Sequence, residues 1–169
     1  YAARPPLGAC WLDERLKSYT VPFALRSASK ALRTIARGSR IPFGGEEGVP
    51  QETIRFFIWW RDGQSRTDLD LSALVLDGDF NFQTTLAYYN LRELGGYHSG
   101  DITSAPKGAS EFIDIEVPTF LGRDARYVMM VVSSFTAQPY CDLPECFAGF
   151  MRREHPDSGE IYEPRTVLN

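Results

Sequence analysis

Beyond residue 52, apolar and polar positions alternate along the chain in short runs that are separated by turn residues. The first run spans residues 54–60 and is apolar at nearly every position, so the strand that it predicts has two largely apolar faces. Such a strand is typical of one that is buried on both sides or central in a sandwich. One face carries Ile54, Phe56, Ile58 and Trp60, and the other carries Arg55, Phe57 and Trp59.

Six further runs also predict strands. The sequence Asp77-Gly78-Asp79 is a strong hairpin signal between the first two of them, and Pro164 would keep the last strand at a sheet edge. Strands at such short intervals predict an all-β fold, a two-sheet β-sandwich, over residues 51–169. The six runs span residues 69–76, 82–90, 111–117, 127–135, 146–152 and 161–168.

Residues 1–50 follow a different pattern. From Phe23 to Ser39 the apolar positions recur at helical spacing, and Arg26, Lys30, Arg33 and Arg37 line the opposite face. This pattern predicts a basic amphipathic helix as an N-terminal extension. We interpret its basic side as the solvated face of a helix that docks on a neighbouring domain; a membrane surface, an anionic partner and nucleic acid are the alternatives. A Pro- and Gly-rich linker follows, so residues 1–50 are interpreted as the end of a preceding module.

Composition narrows the class of protein. The chain has 169 residues, 43% of them hydrophobic and 24% charged, which is enough for one good core. A formal net charge of −4 argues against a general nucleic-acid binder. No apolar run approaches the roughly 20 residues of a membrane span. The odd number of cysteines, three, does not fit a secreted disulfide framework, so we predict a cytoplasmic protein with reduced thiols.

Two carboxylates open the predicted strand at residues 69–76. Asp68 and Asp70 are two residues apart, so in an extended strand they point the same way, with Cβ atoms roughly 6–7 Å apart. Like charges at this distance repel each other. A hard cation with oxygen ligands would relieve the repulsion. The alternative is an exposed strand end at which water screens both groups.

A second polar group of residues surrounds His98-Ser99-Gly100-Asp101. Gly100 permits a sharp backbone turn before Asp101, and Glu111 follows ten residues later across a loop of small residues, so the two acids could meet. No serine or cysteine stands in a recognisable nucleophile context. We therefore predict that the protein is not an enzyme and that His98 is a hydrogen-bonded structural residue. The enzymatic alternative is a metal-assisted hydrolase that uses the acids and His98.

Taken in order, these segments resemble the TerD family of tellurium-resistance and stress-response proteins. The resemblance covers residues 53–169 and includes the C-terminal segments 143–150 and 155–161. It rests on the Asp68-Leu69-Asp70-Leu71-Ser72-Ala73 strand, the Asp77-Gly78 hairpin, the His98-Ser99-Gly100-Asp101 loop and the strand that begins at Glu111.

The resemblance implies a β-sandwich that binds calcium through loops at one end of its sheets, without an established catalytic activity. Asp68 and Asp70 match the family's Asp-x-Asp pair, Asp101 matches the acid of its Gly-Asp pair, and Glu111 matches the acid that closes the loop. These four carboxylates would hold one Ca²⁺, with backbone carbonyls and water completing the roughly 6–8 oxygens that it requires.

Two departures from the family pattern bear on this calcium site. Ile102 stands where the family has Asn, and the loop at 104–110 has Lys107 and no carboxylate. The resemblance implies a calcium-binding or interaction module with protein partners in a bacterial stress-response complex. The alternative is a metal-free β-sandwich interaction domain, in which Lys107 pairs with the acids and the ion site is vestigial.

Overall fold

Antiparallel strands make up most of the computed structural model, which describes residues 53–153. The prediction of an all-β fold is confirmed for this part of the chain. The helix and linker predicted for residues 1–50, and the strand predicted for 161–168, lie outside the described residues. The strands are β1 (Thr53–Arg61), β2 (Leu69–Leu76), β3 (Phe82–Leu86), β4 (Arg92–Glu93), β5 (Gly96–His98), β6 (Ala109–Glu116), β7 (Tyr127–Ser134) and β8 (Glu145–Arg153).

The strands form two sheets. One has the order β4-β5-β6-β1-β8, and the other has the order β3-β2-β7. All pairings within them are antiparallel. A six-residue helix, α1 (Val117–Gly122), and a 3-10 turn (Tyr140–Asp142) lie in the connections between strands. No helix among residues 53–153 is long and apolar enough to cross a membrane.

The alternation of side chains along the strands builds one hydrophobic core. In β2, Leu69, Leu71, Ala73 and Val75 are fully buried, whereas the residues between them are half-buried. The inner residues of β1, β6 and β8 belong to the same core cluster as those of β2, so the two sheets share their buried side. Burying apolar surface in this way stabilises the fold by roughly 25 cal/mol per Å².

Strand β1 carries the buried, two-sided character that its composition predicts. It runs between β6 and β8, and its residues Thr53 to Phe56 are all buried. Arg55 is buried and donates two hydrogen bonds of 2.6 Å to Asp114, from Nε and from one terminal nitrogen. The guanidinium also lies 3.7 Å from the centre of the Phe112 ring, a cation–π contact.

We expect Asp114→Ala to lower the free energy of unfolding by about 2–3 kcal/mol, because it removes a carboxylate that accepts two hydrogen bonds from a buried guanidinium. Asp124→Asn is the control, since Asp124 pairs with Arg126 at the exposed surface and asparagine tolerates the φ of +62° at this position. Its effect should stay within about 0.5 kcal/mol. Urea unfolding of the three proteins measures both values, and equal losses in the two variants would contradict the role given to Asp114.

The structure corrects one strand boundary. The run at 82–90 predicted a continuous partner for β2, but β3 ends at Leu86. Ala87 and Asn90 then bond to each other through their backbones and close a tight turn. The short strands β4 and β5 and the helix α1 were not predicted. Within residues 53–153, the early end of β3 leaves part of the β2 edge without a neighbouring strand, and this position adjoins the acids described next.

Candidate metal site

Three of the four predicted ligands come together beside the start of β2. One carboxylate oxygen from each of Asp68, Asp70 and Asp101 lies within 4.8 Å of the other two. Asp68 is buried, Asp70 is half-buried and Asp101 is exposed. The cluster therefore has an inner end anchored in the protein and an outer end that solvent reaches.

The pairing of β2 with β7 fixes the first two acids. The backbone N–H of Phe135 donates to the carbonyl of Asp68 (3.0 Å), and the N–H of Asp68 donates to the hydroxyl of Thr136 (3.2 Å). Asp70 follows two residues later, opposite Ser133. Since side chains two residues apart in a strand share a face, the two carboxylates point the same way.

The third acid is placed by a turn. Gly100 has a φ of +106°, which residues with a side chain rarely adopt. Its N–H donates to Nδ1 of His98 (3.0 Å), and this bond fixes the backbone just before Asp101. The glycine that the sequence placed before Asp101 is thus required by the backbone conformation.

The three acids repel one another. The pKa of Asp70 is raised first by burial and then by the negative charges of Asp68 and Asp101. A cation bound among them would add a contribution of the opposite sign, which lowers the pKa of Asp70. Protons should accordingly compete with a cation at this cluster as the pH falls.

Glu111, the fourth predicted ligand, is absent from this cluster of ligand atoms and contacts the backbone instead. It is 1% exposed. Its Oε1 accepts the N–H of Ile102 (2.8 Å), and its Oε2 accepts the N–H of Leu71 (3.0 Å). These two peptide groups follow Asp101 and Asp70 directly, so Glu111 holds two of the three acids in position.

The early end of β3 explains why Leu71 needs such a partner. The Phe135–Asp68 bond shows that the even-numbered residues at this end of β2 bond to β7, so Leu71 points its N–H and carbonyl the other way. On that side β3 ends at Leu86, opposite Ala73. Glu111 accepts the N–H of Leu71, and Nε2 of His98 lies 2.9 Å from its carbonyl. Two side chains of the five-stranded sheet thus replace a strand.

His98 is buried, and both of its ring nitrogens are engaged. Because the N–H of Gly100 donates to Nδ1, we assign the proton to Nε2, which donates to the carbonyl of Leu71. Burial lowers the pKa of His98, in keeping with a neutral ring. Nε2 also lies 3.9 Å from Oε2 of Glu111. These contacts agree with the interpretation of His98 as a structural residue.

Burial lowers the pKa of His98 but raises that of Glu111. The pKa of this carboxyl rises from an ordinary value of 4.5 to about 7. The bonds from Ile102 and Leu71 act against this shift, and the charges of Asp101 and Asp70 add to it. The side chain that orders the site therefore titrates near neutral pH.

A cation that sequence reasoning missed lies at the cluster. A terminal nitrogen of Arg66 lies 3.0 Å from Oδ2 of Asp68, and Nε donates to the carbonyl of Thr103 (2.6 Å). Lys107, the cation that the sequence suggested, is exposed and makes no ion pair with any residue from 53 to 153. Arg66 stands two residues before Asp68, so in an extended backbone the two side chains point the same way. This spacing was the sequence signal that could have identified the pair.

Asp62 is a second residue whose role sequence reasoning missed. Its Oδ1 accepts the N–H groups of Thr67 (3.2 Å) and Ala105 (3.0 Å), and its Oδ2 accepts the hydroxyl of Ser104 (2.9 Å). The carboxylate thereby ties the segment before Asp68 to the loop after Asp101. Both segments carry acids of the cluster, so Asp62 helps to keep them together.

Comparisons with known proteins leave the family open. No family model matches the chain, and neither a curated protein nor a solved structure is significantly similar to it.

Proposed function

We propose that this chain contains a calcium-binding β-sandwich of the TerD type, which serves as an interaction module in a bacterial stress or tellurite-resistance system. The observation that carries the proposal is the convergence of Asp68, Asp70 and Asp101 within 4.8 Å. The resemblance of these segments to the TerD family suggests both the ion and the cellular role. The shared core of the two sheets supports their packing as a sandwich.

The chemistry of the donors favours a hard cation. All three ligand groups are carboxylates, and no His or Cys joins a cluster of this kind among the described residues. Ca²⁺ takes roughly 6–8 oxygen ligands in flexible geometry, and three carboxylates of two oxygens each could provide most of them. Asp101 is exposed, which leaves room for water to complete the shell.

Calcium titration by calorimetry on the chelator-treated full chain, together with melting curves, tests this function. We expect one binding event with a dissociation constant on the order of micromolar. At a free concentration 100 times that constant, binding should add about 2.7 kcal/mol to the stability. Mg²⁺ should bind more weakly, because it demands a tighter octahedral shell. If Ca²⁺ gives neither a heat of binding in the calorimeter nor a shift in melting temperature, the proposal is wrong.

The contacts of Arg66 favour a second candidate, a metal-free β-sandwich interaction domain with a vestigial ion site. Its guanidinium already contacts Oδ2 of Asp68 and donates to the carbonyl oxygen of Thr103. Both oxygens are potential ligands of a bound cation. In this case Arg66 would supply the positive charge in place of an ion, and a protein partner would bind elsewhere. For either candidate we propose a cytoplasmic location, which the free thiols of Cys141 and Cys146 support.

The variant Arg66→Gln separates the two candidates. If the module binds calcium, removal of the competing guanidinium should tighten binding by about tenfold, a change of about 1.4 kcal/mol. The same variant should melt at a lower temperature without calcium and regain stability with it. If the module is metal-free, the stability loss should remain whatever the calcium concentration.

Arg126→Gln is the control for charge. Arg126 forms an ion pair with Asp124 at the exposed surface. The Arg126→Gln variant should leave the calcium affinity unchanged. A similar gain in calcium affinity in both variants would point to a general effect of net charge and not to competition at the site.

A further inference from the structure

Arg66 adds a positive charge to the acid cluster. Its side chain is 59% exposed, whereas the carboxylate of Asp68 beside it is 7% exposed. One terminal nitrogen donates to Oδ2 of Asp68, and Nε donates to the carbonyl of Thr103, which is not one of the acids. The guanidinium is thus bound partly outside the cluster, by a contact that does not require any acid to be free.

The backbone around these two contacts is held independently of the guanidinium. Thr67, the residue after Arg66, donates its N–H to Asp62, and its carbonyl accepts a hydrogen bond from the buried indole of Trp60 (3.1 Å). The segment that carries the carbonyl of Thr103 is tied down on both sides by the bonds to Glu111 and Asp62 described above. Arg66 therefore has a fixed place beside the acids.

The charges at this place balance for a divalent ion. When ionised, Asp68, Asp70 and Asp101 carry three negative charges, and subtraction of the single charge of Arg66 leaves two. A divalent ion brings this sum to zero, whereas a trivalent ion leaves one positive charge in excess. The three acids alone would instead match a trivalent ion. An unbalanced charge is costly here because Asp68 is buried.

We propose that Arg66 determines the charge preference of the ion site: it stays beside Asp68 when an ion binds and favours divalent over trivalent ions. This inference rests on the calcium site proposed above. The repulsion between the guanidinium and the ion is proportional to the charge of the ion, so it weakens the binding of a trivalent ion one and a half times as much in free energy. An ion on Asp68 would share one carboxylate with Arg66, well within the Debye length of about 8 Å.

The alternative is that an arriving ion displaces the guanidinium into solvent. The contacts of Arg66 with Asp68 and Thr103 would then be lost for every ion, and this loss does not depend on the charge of the ion. The two cases differ in a measurable way. A guanidinium that stays weakens binding in proportion to the charge of the ion, and a displaced one weakens the binding of all ions equally.

Ca²⁺ and Tb³⁺, hard cations of similar size, test the proposal on the full chain. Calorimetry measures the Ca²⁺ affinity. Luminescence measures that of Tb³⁺, with Trp60 as the sensitiser, because its indole bonds to the residue next to Asp68. In Arg66→Gln the affinity should rise about tenfold for Ca²⁺ and about thirtyfold for Tb³⁺, the same factor raised to the power of one and a half. The preference for Tb³⁺ should therefore increase about threefold, which displacement of Tb³⁺ by Ca²⁺ measures directly.

Two further variants serve as controls. Arg66→Lys keeps the positive charge without the planar fork, so it should keep the preference of the wild type. Arg126→Gln removes a positive charge from an exposed ion pair with Asp124 and should leave both affinities unchanged. Equal gains for the two ions in Arg66→Gln, or a shifted preference in Arg66→Lys, would overturn this inference alone. If Ca²⁺ does not bind the wild type at all, the calcium site itself is wrong and this inference falls with it.

Discussion

Replacement of Glu111 by glutamine is expected to flatten the dependence of stability on pH in the metal-free protein. The pKa of this carboxyl is raised to about 7 in the folded chain, from an ordinary value of 4.5. Its contribution to stability is therefore fully present below the unfolded pKa and is lost as the pH rises through the folded one. The loss amounts to about 3 kcal/mol between those two values. Glutamine does not titrate, so the variant should lack this component.

Urea unfolding in chelator at several values from about pH 5 to about pH 8 measures the effect. The difference between wild type and Glu111→Gln isolates this one group from the other carboxylates. Glutamine can accept only one of the two N–H bonds that Glu111 accepts, so the variant should also be less stable than wild type at low pH. Parallel curves for the two proteins would show that Glu111 does not titrate in this range.

Asp70→Asn should abolish most calcium binding without destabilising the metal-free protein. Asparagine keeps the shape of the side chain but removes one of three mutually repelling charges, so the stability without calcium should stay equal or rise. Loss of a charged ligand should weaken calcium binding by about a hundredfold, a change of about 2.7 kcal/mol. A variant that binds calcium more weakly but is at least as stable without calcium has lost a ligand. A residue that only supports the fold would lower both the stability and the affinity when it is replaced.

Melting curves with and without calcium check this result. Asp79→Asn is the control, because it makes the same change of charge at an exposed position in the β2–β3 hairpin. It should keep the full calcium-induced shift. If Asp70→Asn keeps that shift as well, the cluster is not the calcium site.

Strong periodicity explains which strands the sequence could predict. Strand β2 follows directly from its alternating apolar positions, because one face of the strand packs on the core. Strand β1 follows from a run that is apolar at nearly every position. The hairpin of β4 and β5 has too few residues to show a period, and its exposed Arg92 and Glu93 carry no apolar signal. Helix α1 is six residues long, less than two full turns, so helical spacing cannot appear in it.

The same distinction holds for the acids. A spacing of two residues is enough to place Asp68 and Asp70 on one face, and a glycine before Asp101 indicates the turn there. The sequence cannot show what each oxygen of Glu111 accepts, because this depends on where β3 ends. The sequence also leaves open which cation reaches Asp68, since Arg66 and Lys107 carry the same charge and the two-residue spacing of Arg66 from Asp68 is the one signal that favours it.

The bridge from Glu111 and His98 to Leu71 joins the two sheets by polar bonds of nearly fixed length. An increase of roughly 0.5 Å in the spacing between the sheets would stretch both bonds to the limit of a hydrogen bond. The peptide groups after Asp70 and Asp101 would then lose their common anchor. The positions of the three acids therefore depend on packing in the interior. If the cluster binds calcium as proposed, a substitution deep in the core should change the calcium affinity without altering a ligand.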